Sequence, residues 1–447
     1  MKKLIFLLLI TTAAFAQAPG EERAMGWFRA FNSGSFEQMD AFVRGNYTAE
    51  AQQRVTTAAR KERFEEMHAN LGNLKPVNVL TTPEGLQIEA EAEKGEHLTF
   101  RFTIDPAAPH LIAGVGIDIG GGGERRGPAL PPLSIPKDAT RAQLASAVDA
   151  YVRGLDGFSG SVLAAKNGEV LFENAYGLAS RRWNVPNKVT TRFDVGSITK
   201  DFTKLAVAQL VQAGKLKLDA PIITYLPDYP NKDFAQKATV EQLVKHTSGL
   251  GDVFTKRFWE TNTTRFEKPR DFIDFFGNDP LQFEPGKGQR YSNYGYVVLG
   301  AIIEAVSGEN YYDFVQKHVF DAVPMRGSGF FEFRKPIPDV AQGHTTKDWI
   351  ETRSPFERGI PAGSSFSTAR DLMLFDRALR AGKLVDDAGT RWIFGGDPNA
   401  PEVRAGGRPG CNAGIASDGT WTVVVLANID PPVAENLAQH LYNALTR

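Results

Sequence analysis

The sequence predicts an α+β protein of two domains, and three observations carry that expectation. Helical spacing of apolar residues runs to about Gly72 and gives way to a spacing of two as far as Asp118. A Gly- and Pro-rich stretch at 120–136 then separates this segment from the remainder. The remainder carries a hairpin signature near each end with helical patterns between them. Strands at both ends and helices in the middle predict one antiparallel sheet formed from the two chain ends, with a helical insertion beside it.

The first sixteen residues stand outside this fold. Lys2 and Lys3 precede the apolar run Leu4 to Ile10, and Ala14-Phe15-Ala16 precedes Gln17. A basic start, a short apolar core and an A-x-A site predict a signal peptide cut after Ala16. The run is too short for a stable span and no second long apolar stretch follows, so no membrane span is expected in the mature chain. Cys411 is the only cysteine, which excludes an intramolecular disulfide and leaves none at the cleavage site to take a lipid. The expectation is a periplasmic or secreted bacterial protein. With 51 Lys and Arg against 52 Asp and Glu, the formal charge of -1 offers no electrostatic case for a nucleic-acid partner.

At 447 residues there is room for two or three cores. In the first domain, 17–119, Met25, Trp27, Phe28 and Phe31 form one helical stripe, and Phe36, Met39, Phe42 and Val43 a second. Strand patterns follow at Val77 and Val79, Leu86 and Ile88, Leu98 to Ile104, and Leu111 to Ile119. Turn signals fall at Pro83-Glu84-Gly85 and Lys94-Gly95. Helices followed by an antiparallel sheet resemble the NTF2-like cone fold in element order. No cluster of His, Asp or Glu marks chemistry there, so the domain is expected to be an accessory or dimerisation module, with homo-oligomers forming through it. The run Gly120 to Gly123 lacks the Lys-Ser/Thr and strand–loop–helix context of a phosphate loop, and 120–136 reads as a linker.

The second domain, 137–447, opens with a helix at about Arg141 to Gly154. Val162-Leu163-Ala164 and Val170-Leu171-Phe172 flank Lys166-Asn167-Gly168, a strong hairpin signal. A long, mostly helical middle extends to about Lys383. Cys411 to Ser417 and Trp421 to Asn428 then flank Asp418-Gly419 as a second hairpin, and Val433 to Leu445 closes the chain as an amphipathic helix.

Chemistry is expected where Ser197 and Lys200 open an apolar helix after Gly196. Leu205, Ala206, Val207, Leu210 and Val211 follow at helical spacing. Positions i and i+3 share a helix face, so the hydroxyl and the amine can meet. A nucleophile needs a base within reach, and a helix N-terminus favours an oxyanion there. Alone, this pattern is better described as a Ser cap followed by a surface Lys. Tyr291 and Asn293 precede a second apolar helix, Val297 to Val306, and can both face a cleft; a nearby Lys would lower the Tyr pKa. His246, at the end of a helix beginning near Thr239, is assigned a structural role. Arg404-Ala405-Gly406-Gly407 places a cation before small residues on an edge strand, which lets a substrate approach and directs the Gly407 N–H at an oxyanion.

Taken together, Phe193 to Thr203, Thr239 to Gly251, Arg290 to Gly308 and Gly406 to Asp430 resemble the serine β-lactamase and penicillin-binding family. The class C-like branch with its esterases and D-amino-acid peptidases is the nearest, over roughly Thr140 to Arg447. The resemblance implies a β-lactamase/transpeptidase-like fold with Ser197 as acylated nucleophile, Lys200 as partner amine and Tyr291 as catalytic tyrosine. It makes Asn293 the substrate-orienting amide, and Arg404, Gly406 and Gly407 substrate-binding. Arg404 departs from the family's Lys or His: it keeps a cation for a substrate carboxylate but cannot lose a proton, and Ala405 lacks a hydroxyl. The implied activity is hydrolysis of a small ester, peptide or β-lactam-like substrate, favouring ester or peptide, with no cofactor. A non-catalytic binding protein on the same fold is the alternative. An α/β-hydrolase would need G-x-S-x-G, a zinc hydrolase H-E-x-x-H, and the class A mechanism an S-D-N element; none is present.

Overall fold

The computed structural model describes residues 20–446 apart from 54, 83–84, 94–96, 120–129, 137 and 347. The expected signal peptide, the four-glycine run and the turn residues Pro83, Glu84, Lys94 and Gly95 therefore lie outside the described residues. The chain forms two compact units, Met1–Glu124 and Arg125–Arg447.

In the first unit, helices Glu21–Asn32, Phe36–Asn46, Ala49–Gln53 and Thr57–Leu71 precede four strands, 74–82, 85–92, 97–104 and 112–119. The strands form a sequential antiparallel sheet. Helices then sheet is the order the sequence predicts. The stripe read at Trp27, Phe28 and Phe31 is buried against Phe100, Phe102 and Ile88 of the sheet. Trp27 stacks on Phe31 with ring centroids 5.4 Å apart, and Phe28 meets Phe100 edge-on at 4.8 Å. Period-two alternation in the strands gives that aromatic layer its flat partner.

The second unit is organised by a five-stranded antiparallel sheet. Its order runs Glu402–Arg408, Cys411–Ser417, Trp421–Ala427, Gly160–Lys166 and Glu169–Tyr176. As the sequence predicts, the last three strands of the chain lie beside the first two of the unit. The turn between Lys166 and Glu169 has Asn167 and Gly168 at φ 50° and 79°, the left-handed pair that an Asn-Gly hairpin requires. Successive strand residues enter opposite cores. Val162 and Ala164 pack with Val423 and Val425 under helices Arg141–Arg153 and Val433–Thr446. Leu163 and Ala165 pack with Val424 and Leu426 under the helical insertion. Both faces are covered, which is why these strands read as continuous apolar runs.

The middle is less uniformly helical than its sequence suggests. Short strands at Gly329–Phe330, Gly343–His344, Glu351–Thr352 and Ser365–Ser367 interrupt it. Segments of two or three residues carry too little periodicity to be read beforehand. Of the aromatic residues there, Phe258, Phe272 and Phe276 are buried, while Phe254 and Trp259 are exposed and stack with centroids 5.9 Å apart.

Candidate active site

Ser197 is positioned by a turn that differs slightly from the expected continuous helix. Gly196–Ile198 forms one 3-10 turn, and the α-helix proper is Thr199–Gln212. Gly196 has φ 52°, and its N–H donates to Asp194 Oδ1 at 2.9 Å. Phe202, Leu205, Ala206, Val207 and Leu210 bury the helix, as their spacing predicts. Three side chains tie it to the loop 361–365. Thr199 Oγ1 meets Ser365 Oγ at 2.7 Å, Lys200 Nζ donates to Ala362 O at 2.6 Å, and Thr203 Oγ1 donates to Pro361 O at 2.7 Å.

Lys200 is 6% exposed and gathers the site around its ammonium group. Its Nζ lies 3.1 Å from Ser197 Oγ and 2.8 Å from Asn293 Oδ1, besides Ala362 O. Tyr291 OH approaches Ser197 Oγ from the other side at 2.7 Å. The amine also lies 4.7 Å from the centroid of the Tyr291 ring, a cation–π arrangement. Asn293 is oriented by a residue that the sequence gave no reason to single out. Asp252 accepts from Asn293 N at 3.0 Å and from Nδ2 at 3.1 and 3.2 Å, which leaves Oδ1 to face Lys200. The helix is capped by Ser292, whose hydroxyl accepts from Gly295 N, and it starts at Asn293 rather than Val297.

This arrangement restricts Lys200 chemically. Ala362 O and Asn293 Oδ1 can only accept, so two N–H groups must point to them. The third tetrahedral direction faces Ser197 Oγ. An ammonium donates there, whereas a neutral amine presents its lone pair to the serine proton. Lys200 can therefore act as the base, or it can remain charged while Tyr291 takes the proton.

His246 supports Tyr291 rather than the substrate. Its Nδ1 accepts from Ser292 N at 3.2 Å, and its ring lies 4.5 Å from that of Tyr291. Burial first, and then the charges of Lys200 and Lys204, push its pKa down to about 4. The folded value lies below the ordinary histidine range near 6.5, so the unfolded chain binds the proton first as pH falls. Stability is therefore full above about pH 6.5 and falls by an amount of order 3 kcal/mol between there and pH 4. His246→Asn, which tolerates the left-handed φ of 58° at this position, should remove that dependence. Urea unfolding of both proteins at pH 7 and 4.5 measures it.

The edge strand Glu402–Arg408 lies directly against the serine turn. A Cβ on Gly406 would stand 2.2 Å from Val195 O and 2.6 Å from Ser197 N, and one on Gly196 would stand 2.4 Å from Gly407 N. The backbone amides of Ser197 and Gly407 are thus brought to one junction, where an oxyanion would form. Arg404 corrects an expectation. Its side chain is 11% exposed, and its guanidinium pairs with Asp201, Asp376 and Glu402 instead of standing ready for a substrate carboxylate. Asp201 sits in the first turn of the serine helix and Asp376 on helix Ala369–Arg380, so tertiary placement, unreadable from spacing, decides this.

An acceptor-bound lysine and a tyrosine thus converge on a serine at a helix start, beside a glycine edge strand. The Beta-lactamase family model matches residues 144–446, and the chain belongs to that family. Esterase EstB of Burkholderia gladioli is 32% identical over 255 residues, which are 53% of this chain and 63% of that protein. Penicillin-binding protein 4* of Bacillus subtilis (strain 168) is 31% identical over 254 residues, 53% of this chain and 55% of that protein. The match spans less than two thirds of either relative. A penicillin-binding protein structure from Bacillus halodurans aligns with TM-score 0.58 and 27% identity, over 69% of this chain and 98% of that one. Among the described residues no group of His, Cys, Asp and Glu could hold a metal, and no helix is long and apolar enough to cross a membrane.

Proposed function

We propose that this protein is an exported serine hydrolase that cleaves an ester or amide through an acyl-enzyme on Ser197. Esterase or D-amino-acid peptidase activity is favoured over efficient β-lactam hydrolysis. The observation that carries the proposal is Ser197 Oγ within hydrogen-bond distance of both Lys200 Nζ and Tyr291 OH. Ser197 Oγ bonds to the carbonyl carbon and its proton passes to Lys200 or Tyr291. The oxyanion is held by the Ser197 and Gly407 amides. As the carbonyl re-forms, the leaving group departs with that proton, and water then cleaves the acyl-serine by the reverse relay. Esterase EstB supports the ester reading. The pattern from Lys2 to Ala16 supports export, and a mature mass beginning at Gln17 would test it.

A non-catalytic binding protein is the second reading, and the engagement of Arg404 by carboxylates of the chain itself favours it. Intact mass after exposure to a p-nitrophenyl ester, a β-lactam and an activated phosphonate separates the two. A covalent adduct is expected that Ser197→Ala abolishes. A folded protein that takes no adduct from any of the three would favour the binding role over the catalytic one.

A further inference from the structure

Gly406 and Gly407 lie between two arginines, and that pattern promises cations for a substrate acid. Both cations are already matched. Arg404 Nη1 donates to Asp201 Oδ2 at 3.1 Å, its Nη2 pairs with Asp376, and its Nε lies 3.8 Å from Glu402. Arg408 meets Asp194 Oδ2 through Nε at 3.0 Å and Nη2 at 2.9 Å. Arg380 shares Asp376 at 3.1 Å and faces Glu402 at 3.7 Å. Along this strand three guanidiniums therefore face four carboxylates, Asp194, Asp201, Asp376 and Glu402.

The balance cannot be undone cheaply by a substrate. Asp376 is fully buried, and drawing Arg404 away would strip it of one of its two cations. Lys200 is committed to Ser197, Asn293 and Ala362. Beside Tyr291, Arg290 donates to the neutral side-chain amide of Gln282. A carboxylate near the scissile bond would thus lose water and meet a strand whose charge is already neutral to negative.

We propose that the site selects substrates without a carboxylate beside the scissile bond, namely neutral esters and amides. It discriminates against peptides with a free C-terminus one residue beyond the cleaved bond, and against acids fused to a strained lactam. This rests on the acyl-enzyme reading above and narrows its substrate class.

Two matched pairs of substrates test it. p-Nitrophenyl butyrate and mono-p-nitrophenyl succinate vary the acyl side, and phenyl acetate and 3-acetoxybenzoate vary the leaving side. At low salt the acidic member of each pair should show kcat/KM lower by about tenfold, mainly through KM. Glu402→Gln removes a half-buried carboxylate facing Arg404 and Arg380, and should narrow that gap by roughly threefold. Equal or better turnover of the acids overturns the proposal, as does a gap that Glu402→Gln leaves unmoved. A preference for acids that Arg290→Gln abolishes also overturns it and identifies Arg290 as their anchor. Ser197→Ala separates the two levels. Turnover that survives it defeats the acyl-enzyme reading together with this inference, whereas turnover lost in Ser197→Ala with acids preferred by the parent defeats the inference alone.

Discussion

Lys200→Met is expected to lower kcat on an activated neutral ester by about 10²–10⁴-fold with the protein still folded. The reason is geometric. Lys200 Nζ is within 3.1 Å of the serine oxygen and is bonded to two groups that can only accept. Methionine has a similar length but supplies no proton site. It would leave Ala362 O and Asn293 Oδ1 without a donor, which costs about 1–3 kcal/mol for each acceptor that stays dry. Removal of a buried amine works in the opposite direction, because the desolvation of that group disappears with it. The melting temperature should therefore change less than activity does. Tyr291→Phe completes the comparison. If Tyr291 is the base, its loss costs as much as Lys200→Met and the double variant is no worse than either single one. If Lys200 is the base, Tyr291→Phe costs less, and kcat keeps its dependence on a single deprotonation. A fall of less than tenfold in Lys200→Met would remove Lys200 from the proton relay.

Much of this site was legible in the sequence, and the reason differs by residue. Ser197 and Lys200 were readable because helical periodicity converts a spacing of three into one face, and the 3.1 Å contact follows from that geometry. The Asn167-Gly168 turn was readable because left-handed backbone selects both residues, and the Asp418-Gly419 turn because Gly419 takes the left-handed φ while the Asp418 carboxylate accepts from Thr420 N and Trp421 N. Tyr291 and Asn293 stood at a visible junction of loop and helix. Asp252, in contrast, sits in the irregular stretch after Gly251, where no periodicity assigns it a face; only folding shows that it fixes the Asn293 amide. Ala362 contributes a carbonyl, which every residue possesses, so its side chain could carry no signal. Arg404 was located on the correct strand yet misjudged in its partner. Its carboxylates come from positions 201 and 376, and nothing in a linear pattern fixes such distant pairings.

The closeness of that strand to the serine yields the sharpest steric expectation. Gly406→Ala should lower kcat by about 10²-fold and destabilise the fold by about 1–3 kcal/mol. The added methyl would lie 2.2 Å from Val195 O, 2.6 Å from Ser197 N and 2.7 Å from Ile198 N. All three are backbone atoms of one short turn, so no side chain can swing aside to make room. Either the strand retreats or the turn does, and each movement separates the Gly407 N–H from the Ser197 N–H. A pair of donors aimed at one oxygen loses most of its effect when one of them shifts by a few tenths of an ångström. Gly363→Ala provides the control at the same turn, since its methyl would meet only Gly196 O, at an ordinary 3.8 Å. It should cost far less in both respects. Steady-state kinetics on a neutral ester and urea unfolding of the two variants decide the matter. If Gly406→Ala retained parental kcat, the edge strand would have to be looser against the serine than its contacts describe, and the oxyanion role of Gly407 would fall with it.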